Sequence, residues 1–173
     1  ADICYNWHVP PRLFGNYNPY KKFATFCIIR NPISRLISEF KWYYCNDKSK
    51  DNKNDLNKWL NNALTHDNVF ITGGIDRIGC RDGHLFPQYF FIFDTLGNKI
   101  CDHVLLIDDL TNQFNKLMKK YNYKIRLNDN IIHNKSNFTV NEDDINKSNL
   151  IKIHKLYTVD FKLYENIKLL HDL

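Results

Sequence analysis

A chain of 173 residues, 43% apolar and 14% aromatic, has the size of one domain with a real core, which argues against two complete domains. Its 24 basic and 19 acidic residues leave a charge of +5, a mild bias that suits an anionic ligand but is too diffuse for a nucleic-acid protein. No apolar run nears the roughly 20 residues of a membrane span, and the five cysteines (Cys4, Cys27, Cys45, Cys80, Cys101) hold no CxxC, so neither a zinc ribbon nor a disulfide scaffold follows.

The start "ADICYNW" lacks both a signal-peptide pattern and an initiator Met, so the chain is expected to be a trimmed or processed piece of a longer parent. Residues 1–22 read as irregular, punctuated by Pro10-Pro11, Gly15 and Pro19. Phe23 to Ile29 ("FATFCII") is a short apolar run with the character of a buried strand. Asn31 then offers a cap and Pro32 suits a first helical turn, which predicts a helix beginning at once. At about 100° per residue, Ile33, Leu36, Ile37, Phe40 and Tyr44 share one face, while Asn31, Ser34, Arg35 and Ser38 form the opposite stripe.

Beyond this helix, Asn46 to Trp59 is polar and predicts a loop leading into a short helix with Leu56, Trp59, Leu60 and Leu64. Tyr89 to Phe93 and His103 to Asp108 predict two more strands, with a turn at Gly97-Asn98. Leu110, Phe114, Leu117, Met118 and Tyr121 have helical spacing with lysines late in the helix, and Glu142 to Leu170 repeats that habit. Alternating strands and helices predict an α/β layer fold, here one domain spanning residues 1–173.

The stretch "FCIIRNPISRLISEF" raises the question of an anion site. The first N–H groups of a helix are intrinsically unpaired, and the dipole there is positive. Arg30 adds a fork of donors at the junction, with Arg35 and Ser38 further along the polar stripe. The competing reading pairs both arginines with acids and leaves the serines facing water.

"FATFCIIRNPISRLISEF" resembles the RxPxxRxxSxF/Y strand–helix motif of the sulfotransferases, in which the first Arg and the Ser eight residues later bind the 3′-phosphate of PAPS (3′-phosphoadenosine 5′-phosphosulfate). The resemblance assigns those roles to Arg30 and Ser38, with Arg35 assisting. "DGHLFPQYFFIFD" is similar to the H-x-x-PQ segment of the carbohydrate (Golgi-type) sulfotransferases, which puts His84 and Gln88 near the acceptor. "CDHVLLIDDLTNQFNKLM" and "LIKIHKLYTVDFKLY" are similar to the strand–helix and the closing Y-x-x-DF helix of those enzymes. His8, 22 residues before Arg30, stands where the uronyl 2-O-sulfotransferases place a catalytic base. An imidazole suits that task near pH 7.

"HNKSNF" falls where related enzymes close a loop over the nucleotide, which makes Lys135 and Ser136 further 3′-phosphate contacts; the same region offers glycosylation sequons at Asn134, Asn137 and Asn146. Cys80, His84, Cys101 and His103 form the single grouping that hints at zinc, in loose spacing, and the expectation is no metal. An oxidising lumen would instead allow a Cys80–Cys101 disulfide.

The family's phosphate loop, roughly P-K-[TS]-[GA]-[ST]-[ST]-[ST], has no match here. The expectation is therefore a P-loop NTPase-like sulfotransferase fold, a parallel sheet flanked by helices, lacking its N-terminal strand and phosphate loop. Its parent, by resemblance a lumenal Golgi enzyme of a kind that can be membrane-anchored, would move a sulfuryl group from PAPS to a carbohydrate hydroxyl. The alternative is a carbohydrate- or nucleotide-binding module that keeps the fold without catalysis.

Overall fold

The computed structural model describes residues 9–15, 20–44, 47–74, 83–128 and 136–171. Two strands, β1 (Phe26–Ile29) and β2 (His103–Leu106), pair in parallel with Cys27 opposite Val104 and Ile29 opposite Leu106. A parallel pair needs a long crossover. Here it contains helices α1 (Pro32–Tyr43) and α2 (Lys53–Ala63), a π-helical turn at Asp67–Thr72 and a 3-10 turn at Gln88–Phe91. After β2 come α3 (Leu110–Lys120), α4 (Lys147–Leu156) and α5 (Thr158–His171).

Side chains alternate across the strands, so each face meets a different helix, but Phe26 and Ile28 remain exposed and β1 is not the buried strand that its composition predicts. Cys27, Ile29, Val104 and Leu106 share a cluster with Ile92 and with Tyr164, Leu163 and Ile167 of α5. On the other face Leu105 meets Leu110, Phe114, Leu117 and Met118 of α3, and Phe26 stacks edge-on against Phe114. An α/β fold with a small parallel sheet flanked by helices is what the sequence predicts.

The largest core lies beside the sheet, where the apolar face of α1 meets α2 and α4. Ile33, Leu36, Ile37 and Phe40 pack with Leu56, Trp59, Leu60, Ile153 and Tyr157. Phe40, fully buried, takes Trp59 and Phe138 edge-on at ring distances of 5.8 and 6.1 Å. This core fixes the rotation of α1, and with it the direction of its polar stripe.

Two further expectations are corrected. Tyr89 to Phe93 is no strand: Gln88–Phe91 winds into a 3-10 turn, and only Phe93 makes an isolated antiparallel bridge, to Lys99. The cause is a distant carboxylate. Asp160 accepts the Gln88 and Tyr89 N–H groups at 2.7 and 3.0 Å, capping a turn where a ladder would otherwise take them. The Glu142 to Leu170 pattern is also not one helix, since Tyr157 (φ −108°, ψ 24°) ends α4 and α5 starts at the next residue.

Asn31 caps α1 as expected, its Oδ1 accepting from the Ile33 and Ser34 N–H groups. Asn31→Ala is expected to cost about 1 kcal/mol, seen as a thermal midpoint lower by roughly 2–4 °C.

Candidate functional site

The N–H groups at the start of α1 are already taken. Asn31 Oδ1 holds those of Ile33 (2.9 Å) and Ser34 (3.4 Å), the Arg35 N–H donates to Asn31 O, and Pro32 has none. The expectation that backbone donors at this helix start cradle an anion is therefore corrected. An anion here would be held by side chains.

Arg30 is the residue between β1 and that cap. Its own peptide groups are gripped on both sides by one side chain: the Arg30 N–H donates to Gln88 Oε1, and Gln88 Nε2 donates to Arg30 O, both at 2.8 Å. Gln88 is 7% exposed, and its backbone N–H is in turn held by Asp160. The relay from α5 through Gln88 to Arg30 fixes the junction. Gln88, expected near the acceptor, engages both ends of its amide with Arg30 and so fixes the backbone at that junction.

The Arg30 guanidinium is half-buried and has no hydrogen-bond or ion-pair partner among the described residues. Ser38 is exposed, and its hydroxyl likewise makes no hydrogen bond among the described residues. Neither group is sealed from solvent. Ser34, between them along the helix, turns its hydroxyl back to Asn31 O at 3.1 Å.

Arg35 departs from the exposed stripe on which the helical wheel puts it. Its Nη1 donates to Phe86 O at 2.9 Å and its guanidinium lies 5.1 Å from the Tyr157 ring centre. Its Nε and Nη2 are buried without a hydrogen-bond partner among the described residues. The charge has Asp160 near it, and Arg35 attracts that carboxylate toward ionisation while burial pushes its pKa up, with burial the larger effect. Tyr157, also fully buried, donates its hydroxyl to Leu85 O at 2.8 Å. Arg35 thus joins α1, the Leu85–Phe86 segment and the α4–α5 joint.

His84 sits at the edge of the same region. Its Nδ1 lies 2.9 and 3.1 Å from the two carboxylate oxygens of Glu39, the neighbour of Ser38 on α1. The Trp42 ring, 49% exposed, packs edge-on against the imidazole at 5.1 Å. A carboxylate on Nδ1 fixes the orientation of the ring. Glu39 carried no signal in the sequence.

His8 and Lys135 lie outside the described residues, as do Asn134 and Cys80. Ser136 is exposed, and its Oγ accepts the Phe138 N–H at 3.2 Å, just where the chain dives to bury Phe138 against Phe40. Asp51 pins that segment by accepting from Thr139 and Val140 N–H groups. Asn137 is exposed and Asn146 caps α4 through its Oδ1.

Among the described residues no three His, Cys, Asp or Glu are grouped to hold a metal ion, and no helix is long and apolar enough to cross a membrane. A large open cavity of about 730 Å³ lies away from Arg30 and Ser38, lined by Lys53, Asn57, Asn61, Asp144 and Asn146. Its place in the fold gives it no link to this junction.

A family model described as "Sulfotransferase family" matches residues 7–165. No curated protein and no solved structure matches the chain.

Proposed function

Because the chain belongs to the sulfotransferase family, we propose that Arg30 and Ser38 hold the 3′-phosphate of PAPS and that the acceptor is a carbohydrate hydroxyl. Sulfuryl transfer is what this membership carries. The observation behind the donor assignment is the junction itself. Arg30 has both neighbouring peptide groups fixed by Gln88 and a guanidinium with no partner among the described residues, while an exposed hydroxyl stands two turns along α1. A fixed backbone limits where the guanidinium can reach, which lowers the ordering cost of gripping a phosphate.

In this reading the acceptor oxygen attacks sulfur in line as the bond from sulfur to the bridging phosphate oxygen breaks. The acceptor proton passes to a base, and His8 is the residue proposed for it. Lys135 and Ser136 are proposed as further 3′-phosphate contacts. The H-x-x-PQ likeness at His84–Gln88 supports a carbohydrate acceptor, as does the half-exposed Trp42 ring beside His84, since an aromatic face suits a sugar ring. Arg35 assists by holding the wall behind the junction.

The test is calorimetric titration with 3′-phosphoadenosine 5′-phosphate, followed by transfer of labelled sulfate from PAPS to desulfated glycosaminoglycan. Arg30→Ala is expected to weaken nucleotide binding by about 1.5–3 kcal/mol, roughly 10- to 150-fold. Equal affinity in a folded Arg30→Ala variant contradicts the assignment. Binding without turnover points to the non-catalytic module.

A further inference from the structure

We infer that Glu39, His84 and Trp42 form one subsite for an uncharged sugar ring of the acceptor, with Glu39 as the residue that rejects a ring carrying a carboxylate or a sulfate. The inference rests on the sulfotransferase reading above only in calling that sugar an acceptor. Glu39 and Trp42 are three residues apart on α1, and Ser38 and Trp42 four, so the three side chains leave the helix on one contiguous patch. His84 is seated on that patch, with Nδ1 2.9 Å from a Glu39 carboxylate oxygen and its ring 5.1 Å from the Trp42 ring.

The seat of His84 is held from outside the subsite. The Phe86 N–H donates to Gly83 O at 3.2 Å and closes a turn around it, and the Leu85 N–H donates to Gly73 O at 2.7 Å. Tyr157 and Arg35 donate to the Leu85 and Phe86 carbonyls. A backbone fixed in this way leaves little to order when a ligand arrives.

A sugar ring offers an apolar C–H face and a rim of hydroxyls. The half-exposed Trp42 ring suits the face. The rim suits Glu39, because two carboxylate oxygens have about four lone-pair sites, more than one imidazole N–H can fill. The Glu39 side chain is 15% exposed, enough to be reached at its edge yet too little for water to screen its charge fully.

Charge decides which ring is taken. His84 is the one ion-pair partner of Glu39 among the described residues, and an imidazole is charged only when protonated, so the pair is neutral or negative and never positive. The neighbouring cation on α1, Arg35, is turned inward to Phe86 O and the Tyr157 ring. A uronate or sulfated ring would bring a second negative charge against a partly buried one, whereas a neutral ring meets no such repulsion. In a glycosaminoglycan the ring seated here is therefore an unsulfated amino sugar and not the uronate.

The test uses two probes that differ at one carbon, methyl β-glucoside and methyl β-glucuronide. Binding is followed by nitrogen–proton correlation spectra at the indole N–H of Trp42, one of three tryptophans in the chain, assigned by its loss in Trp42→Phe. The glucoside is expected to shift that signal at concentrations at least ~5-fold below those the glucuronide needs, and Glu39→Gln to bring the two within about 2-fold. A glucoside that leaves the signal unmoved, equal or tighter binding of the glucuronide by wild type, or a preference that survives Glu39→Gln overturns the inference. The wild-type comparison decides it even where Glu39→Gln fails to fold. No nucleotide enters these titrations, so failure of the 3′-phosphate assignment at Arg30 is read separately, by calorimetry.

Discussion

Asp160→Ala is expected to be the most damaging single change in the chain, lowering stability by about 3–5 kcal/mol. The carboxylate is 1% exposed and accepts the N–H groups of Gln88 and Tyr89. Its loss leaves both donors without partners in a dry site and removes the acid near the buried Arg35 guanidinium. Asp160→Asn, which keeps one acceptor oxygen, is expected to lose less. Chemical denaturation of the three proteins measures the order.

The same residue sets a pH signature. Burial raises the folded-state pKa of Asp160. A group raised in this way binds protons in the folded chain before the unfolded one, so its contribution is full below the unfolded value of about 3.9 and is lost as pH rises through the folded value. Wild type is therefore expected to gain stability relative to Asp160→Asn as pH falls from neutrality toward 4. A difference independent of pH contradicts a strained buried charge. Asp51 works in the opposite sense: partial burial pushes its carboxyl up, but hydrogen bonds from Val140 and Thr139 outweigh this and hold it below its ordinary value. That contribution is present above the unfolded value and lost in acid.

Gly73→Ala is the second large effect, at about 2–4 kcal/mol. Gly73 has φ +67°, a left-handed conformation that costs a side chain, and an added Cβ would sit 2.3 Å from a ring carbon of Phe86. Phe86 is 1% exposed and its carbonyl accepts from Arg35, so it has little room to yield. Displacing it would disturb Arg35 as well. A variant as stable as wild type by thermal melting would show that this contact relaxes freely.

Periodicity and caps made much of the frame legible. The apolar face of α1 lies where the wheel puts it, and Asn31 with Pro32 marks the start of that helix, because both signals are local. The segment after Pro87 misled because its composition suits a strand, whereas its conformation is decided by Asp160, more than seventy positions away. Arg35 misled for a related reason: an exposed position on a helical wheel becomes half-buried when the Leu85–Phe86 segment and Tyr157 close over it. Arg30 and Ser38 were marked by their motif, but the grip of Gln88 on Arg30 depends on tertiary contact alone. The Y-x-x-DF pattern did hold a clue, since Tyr157 at the end of α4 and Asp160 in α5 are buried polar groups that tie the α4–α5 joint to that region.

The role proposed for the Arg30 side chain is recognition of a 3′-phosphate. Calorimetric titrations of wild type and Arg30→Ala, each with 3′-phosphoadenosine 5′-phosphate and with adenosine 5′-phosphate, isolate that one interaction. Wild type is expected to prefer the 3′-phosphorylated nucleotide by at least ~10-fold, and Arg30→Ala to lose nearly all of that preference. A preference of the same size in both proteins, or none in wild type, contradicts it.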